Sequence, residues 1–213
     1  MSAPVLYSFR RCPYAMRARL GLAVAGITVE LREILLRDKP ADMLQRSPKG
    51  TVPVLVLEGG QVIDESRDVM LWALQKNDPQ QWLARQEESL AVIDCNDTQF
   101  KPWLDRYKYF ERHPEHPREF YLQQALEILN PWENKLAAND GGLVQKPRCL
   151  ADYGVMPFVR QFARSDWATW ENLPLPYMQA WLHELETGPL FTAIMKKETV
   201  WDQKSAGVTV LWQ

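Results

Sequence analysis

Cysteine is scarce in this chain: three among 213 residues, an odd number. Cys12, Cys95 and Cys149 lie far apart. That usage points to thiols in a reducing cytoplasm and excludes the disulfide framework of a small secreted domain. Excess charge of either sign is also lacking. A net charge of −2 and a sequence pI near 6.0 give no bulk electrostatic case for a nucleic-acid or anionic-membrane surface. No apolar run approaches the length of a membrane span, and the opening MSAPVLYSF lacks a signal-peptide pattern. The chain has no internal repeat and no low-complexity segment, and no metal-ligand set is assigned. What is present is a 46% hydrophobic fraction and enough length to bury the cores of two compact domains. Most of the nine tryptophans and seven tyrosines come after residue 80, so the two parts differ in character.

The first part alternates strand and helix patterns. Pro4 to Phe9 is apolar and aromatic-rich, as a short strand is. Pro13 suits a first helical turn, where a missing N–H costs nothing. Ala15, Ala18, Leu22 and Ala25 follow at helical spacing, and Gly26 is a stop signal. Ile27 to Leu35 is β-branched and alternating. Strand, helix and strand at this spacing predict a βαβ unit with parallel strands. A polar connection follows, with a helical turn after Pro40. Val54–Leu57 and Val62–Ile63 flank Gly59-Gly60, a hairpin signal. Ser66 then reads as the N-cap of a helix carrying Val69, Met70, Ala73 and Leu74. Breakers at Asn77, Asp78 and Pro79 mark a boundary. Beyond it every periodic segment reads as helix. Leu90, Ile93, Asp97, Phe100, Leu104 and Tyr107 share a face, with a bend expected at Pro102. The apolar stretch after Cys149 is the expected buried central helix.

Chemistry concentrates in YSFRRCPYAMRARLG, residues 7–21. A thiol at the strand-to-helix turn of a βαβ unit sits at the carboxyl edge of the sheet, where ligands bind. There the helix dipole and the first-turn N–H groups favour a thiolate. Cys12 reads either as that reactive thiol or as a buried, inert one. Arg10, Arg11, Arg17 and Arg19 add positive potential or form a solvated face. Pro53, directly before a strand, reads as a cis proline presenting the Val52 backbone to a peptide-like ligand, or as a plain strand start. Glu65 and Ser66 stand at a helix front that can hold an ammonium and a carboxylate, or simply cap the helix.

Together, CPYA after a first strand, SPKGTVPVL, DES before a helix, and a helical second part resemble the cytosolic glutathione transferases, most strongly over residues 4–74. CPYA with DKPADML resembles their omega-like, cysteine-type group. The resemblance implies an α+β fold: a thioredoxin-like βαβ-ββα domain over residues 1–77, then an all-helical domain over residues 84–213. It implies glutathione as co-substrate, with Cys12 as nucleophile. Val52, Pro53, Glu65 and Ser66 would bind glutathione, and Lys39 would reach its glycine carboxylate. Trp103, Arg106, Tyr107 and Phe110 are the second-substrate candidates, in a site expected between the domains. A cytoplasmic homodimer is implied, with Asp94 or Asp97 near the partner. The implied activity is thiol transfer or reduction, dehydroascorbate reduction included, through a mixed disulfide, because CPYA has no second cysteine. The alternatives are a non-enzymatic binding or regulatory protein of this type and a conventional conjugating transferase. One departure is local: Cys149 stands where the family's helix-capping box has Ser or Thr, with Asp152 in place, so a weak cap is expected. Val208, Val210, Leu211 and Trp212 of the tail are expected to pack back on the body.

Overall fold

A computed structural model describes residues 3–212. It divides into two compact units, one formed by Met1–Gln80 with Gly188–Gln213 and one by Gln81–Thr187.

In the first unit β1 (Val5–Ser8) leads into α1 (Pro13–Val24) and then β2 (Val29–Glu33). β1 and β2 pair in parallel, with Leu6 opposite Leu31, which closes the predicted βαβ unit. Pro13 begins α1, where its missing N–H breaks no helical bond. Nearly every residue of α1 is buried, as befits a helix covered on all sides. A short α2 (Ala41–Arg46) precedes the hairpin of β3 (Val54–Val56) and β4 (Val62–Ile63). Gly59 and Gly60 turn that hairpin at φ of +89° and +88°, a region closed to most side chains. β3 runs antiparallel to β1, and α3 (Ser66–Lys76) returns to pack on α1.

The helical unit opens with a tight turn at Trp82–Arg85 and α4 (Gln86–Cys95). A π-helical stretch, Asn96–Phe100, lies directly before α5 (Lys101–Lys108), whose first turn holds Pro102. Pro102 supplies no N–H to the preceding turn, which is where the regular hydrogen-bond ladder gives way. The unit continues through α6 (Arg118–Ala138), α7 (Leu150–Ser165), α8 (Trp167–Glu171) and α9 (Pro176–Thr187). α7 is its buried centre, in contact with α4, α5, α8 and α9.

The tail departs from the expected all-helical domain through residue 213. It forms α10 (Pro189–Ile194), packed on α1, and then β5 (Val208–Val210), antiparallel to β2. The sheet order is therefore β4-β3-β1-β2-β5. Gly207 makes this approach possible: a Cβ there would lie 2.5 Å from the Leu31 carbonyl oxygen. Of the four apolar tail residues expected to pack back, Trp212 is buried and Val210 half-buried, whereas Val208 and Leu211 are exposed.

Candidate functional site

Cys12 occupies the N-cap of α1 in an extended conformation (φ −76°, ψ 125°). Its N–H donates to the Phe9 carbonyl at 2.9 Å, and its own carbonyl receives the Met16 N–H at 2.9 Å. The thiol is half-buried and lies 3.9 Å from the Val52 carbonyl oxygen. No acidic side chain stands in the first turn of α1, so the positive end of the helix is not neutralised there. Cys12 packs against a small buried apolar cluster that includes Tyr7, Ala15 and Val52, and Trp201 of the tail packs against the same cluster.

The Val52–Pro53 peptide bond is cis. β3 and β4 pair with Leu55 opposite Ile63 and Val56 opposite Val62. Continuing that register brings Pro53 and Val54 alongside Asp64 and Glu65. The cis-proline segment and the front of α3 therefore share one edge of the sheet with Cys12. Ser66 is not the N-cap of α3. Glu65 holds that position, because it has the extended backbone (φ −107°, ψ 126°) and its carbonyl receives the Val69 N–H. Ser66 is the first helical residue, buried, and its hydroxyl receives a bond from Arg17 of α1 at 3.3 Å. Lys39 is exposed, with its ammonium beside Gly50 at the start of the same segment.

Sequence reasoning missed several members of this edge. Lys49 bridges Asp64, at 3.2 Å, and Glu65. The buried Ser47 hydroxyl donates to Asp64 at 2.6 Å. That bond and the Lys49 ammonium hold the Asp64 carboxyl below its usual range. The hairpin was the available signal, since folding at Gly59-Gly60 brings a lysine just before β3 toward two carboxylates just after β4. Tyr7 of β1 donates to Asp42 of α2 and receives a bond from Arg32 at 2.6 Å. Burial, then the Asp42 bond, pushes its phenol up to about 12. Arg32 also lies 4.2 Å over the Trp201 ring.

The second-substrate candidates lie on and just after α5 in the helical unit. Tyr107 is buried, 5.0 Å from the Phe162 ring and with Arg118 over its own ring at 4.4 Å, so it serves the interior packing. Trp103, Arg106 and Phe110 are half-buried, with Arg106 4.8 Å over Trp103 and Arg118 5.1 Å over Phe110. In the same unit Cys149 caps α7. Asp152 receives the Cys149 N–H, the Leu143 N–H and the Trp181 indole N–H, each at 2.9 Å. The capping box is thus carried by its aspartate. Among the described residues, no group of three or more His, Cys, Asp or Glu side chains is placed to hold a metal ion. No helix among them is long and apolar enough to cross a membrane.

Residues 6–82 match the family model of the glutathione S-transferase N-terminal domain. Glutathione S-transferase omega-1 of Sus scrofa is 44% identical over 61 residues, 29% of this chain and 25% of that protein. Glutathione S-transferase DHAR2 of Arabidopsis thaliana is 29% identical over 116 residues, 48% of this chain and 54% of that protein. These matches thus span only a quarter to about half of the relatives' own lengths. In overall fold the chain is similar to a glutathione transferase from Methylococcus capsulatus, with a TM-score of 0.74 and 23% identity. That likeness covers 91% of this chain and 97% of the other. Residues 6–82 are thus similar to a glutathione S-transferase N-terminal domain, with omega-class proteins among the relatives of that stretch, and the chain has the glutathione transferase fold, a thioredoxin-like first unit and a helical second unit.

Proposed function

We propose that this protein is a glutathione-dependent thiol transferase or reductase whose nucleophile is Cys12. The observation that carries the reading is the thiol at the N-cap of α1, 3.9 Å from the Val52 carbonyl and on the same sheet edge as Pro53, Glu65 and Ser66. In the proposed reaction the Cys12 thiolate attacks the glutathione sulfur of a glutathionylated substrate. The S–S bond breaks, the substrate leaves as a thiolate and takes up a proton, and Cys12 holds glutathione as a mixed disulfide. The thiolate of a second glutathione then attacks that disulfide. Glutathione disulfide forms and the Cys12 thiolate returns. CPYA has no second cysteine to displace the bound glutathione, which is why the second molecule is needed. Backbone groups of Val52 are proposed to pair with the cysteinyl part of glutathione. Glu65 and the front of α3 at Ser66 would take its γ-glutamyl end, and Lys39 its glycine carboxylate. Trp103, Arg106 and Phe110 remain the proposed contacts of the second substrate, with dehydroascorbate or a glutathionylated thiol as its class. The glutathione S-transferase names of the omega-class and DHAR2 relatives support glutathione as the co-substrate in this reading.

The test is incubation with glutathione disulfide followed by intact and peptide mass measurement. One glutathione adduct, at Cys12 and lost in Cys12→Ser, is expected. Adducts confined to Cys95 or Cys149 would overturn the assignment. An adduct at Cys12 that added glutathione never removes would favour a binding protein without turnover.

A further inference from the structure

The arginines around Cys12 fall into two kinds. Arg11 is exposed, 5.3 Å over the Phe9 ring. Arg17 and Arg19, also on the cysteine's helix, are buried. Arg17 is engaged by Ser66. Arg19 lies about two helical turns beyond Cys12 on α1, and helical side chains lean toward the N-terminus, back toward the thiol. Its Nε donates to the Ser8 hydroxyl at 2.9 Å, one terminal nitrogen donates to the Ile194 carbonyl at 3.2 Å, and the other pairs with the Glu33 carboxylate. The second Glu33 oxygen receives the Arg10 backbone N–H at 2.6 Å. The Arg10 guanidinium in turn donates to the Met195 carbonyl at 3.2 Å.

The set reaches the loop between β1 and α1 at two residues, Ser8 through Arg19 and Arg10 through Glu33. Ser8 is its entrance, Arg10 lies within it, and Cys12 ends it. The pair is nearly closed to solvent, with the Arg19 and Glu33 side chains 1% and 10% exposed. A buried ion pair of this kind adds little net stability on its own, but its two charges act in a poorly screened environment.

We propose that the buried Arg19–Glu33 pair is the positioning device of the Cys12 nucleophile. Arg19 stabilises the thiolate and anchors its loop to the tail. Glu33 sets how much of the Arg19 charge the thiolate feels. The proposal rests on the reading of Cys12 as the nucleophile. It gives the tail a role, because the Ile194 and Met195 carbonyls complete the cradle of both arginines. Burial lowers the proton affinity of Arg19. Glu33 opposes that first, and a negative charge at Cys12 acts in the same direction as Glu33. The other charged or titratable groups around the loop are Arg10 and Arg11 within it, Arg17 of α1, and Tyr7 of β1 with its Arg32 and Asp42 partners. β3 presents the Val52 carbonyl, and the end of α10 presents backbone carbonyls.

The test is the pH dependence of Cys12 alkylation by iodoacetamide in the full chain, read at the Cys12 peptide by mass spectrometry. Glu33→Gln keeps the size and accepting oxygen of the side chain but removes its charge. It should lower the midpoint by about one pH unit, and Arg19→Gln should raise it by about as much. Arg19→Lys, which restores the charge, should recover most of that shift. A merely structural pair would lower the melting temperature in all three variants without shifts of opposite sign. An unchanged or raised midpoint in Glu33→Gln overturns the proposal, and that variant decides alone if Arg19→Gln does not fold. Failure of the thiol-transfer reading looks different: Cys12 would alkylate with these shifts yet take no adduct from glutathione disulfide.

Discussion

Cys12 and Cys149 both occupy the N-cap of a helix, α1 and α7, and both meet the positive end of a helix dipole. Their surroundings make them different groups. Cys149 is fully buried, its sulfur 3.4 Å from the Ser89 hydroxyl, and burial pushes its thiol up. The Asp152 carboxylate sits in the first turn of α7 and answers the dipole there. Cys12 is half-buried, no acidic residue competes in the first turn of α1, and a buried arginine stands behind its loop. A helix terminus by itself does not make a nucleophile. Access and the neighbouring charges decide whether the dipole acts on the sulfur or on something else.

The sharpest way to break this comparison is to exchange the roles by mutation. Cys12→Ser should reduce thiol transfer by at least roughly a thousandfold, whereas Cys149→Ser should leave it within about twofold. Equal losses in assays with a glutathione mixed-disulfide substrate would erase the distinction. Next in size is the aspartate that carries the α7 cap. Asp152→Ala orphans three N–H donors and should cost the helical unit about 3 kcal/mol, read from the denaturant midpoint. Cys149→Ser should change that midpoint by less than about 1 kcal/mol, because the aspartate half of the box survives.

Alkaline pH sharpens the contrast further. The Cys149 thiol titrates higher in the folded protein than its ordinary value of 9.0. Its contribution to stability is therefore complete below about pH 9 and is lost as pH rises through the folded value. The stability difference between the native chain and Cys149→Ser should shrink steadily above that pH, and a constant difference would contradict the burial effect. The smallest change is expected beside Cys12. Tyr7→Phe should remove the phenol that titrates near 12 from an ultraviolet titration and leave the other tyrosines in place.

Much of the first unit was legible in the chain because its signals are local. Pro13 at a helix start, Gly59-Gly60 in a hairpin and the β-branched run before Pro40 act over a few residues. The misassignment at Ser66 shows the limit of local chemistry. A serine at a helix front reads as a cap, but here Arg17, 49 residues earlier, takes its hydroxyl and Glu65 has the capping backbone. Lys49 was in plain view within SPKGTVPVL, yet its partners are set by the folded hairpin. The tail is the same lesson on a larger scale. Its alternating apolar residues fit a strand, but only an open edge at β2 makes them one.

By itself the sequence determined the βαβ-ββα order of the first unit and the thiol at the head of α1. Each depends on propensities and spacings that act along the chain. Tertiary structure alone decided what surrounds that thiol. Arg19 meets Glu33 14 residues away and Ile194 175 residues away. Such a pair forms only after the sheet and the returning tail have excluded water, because in solvent the same charges would be separately hydrated and nearly indifferent to each other.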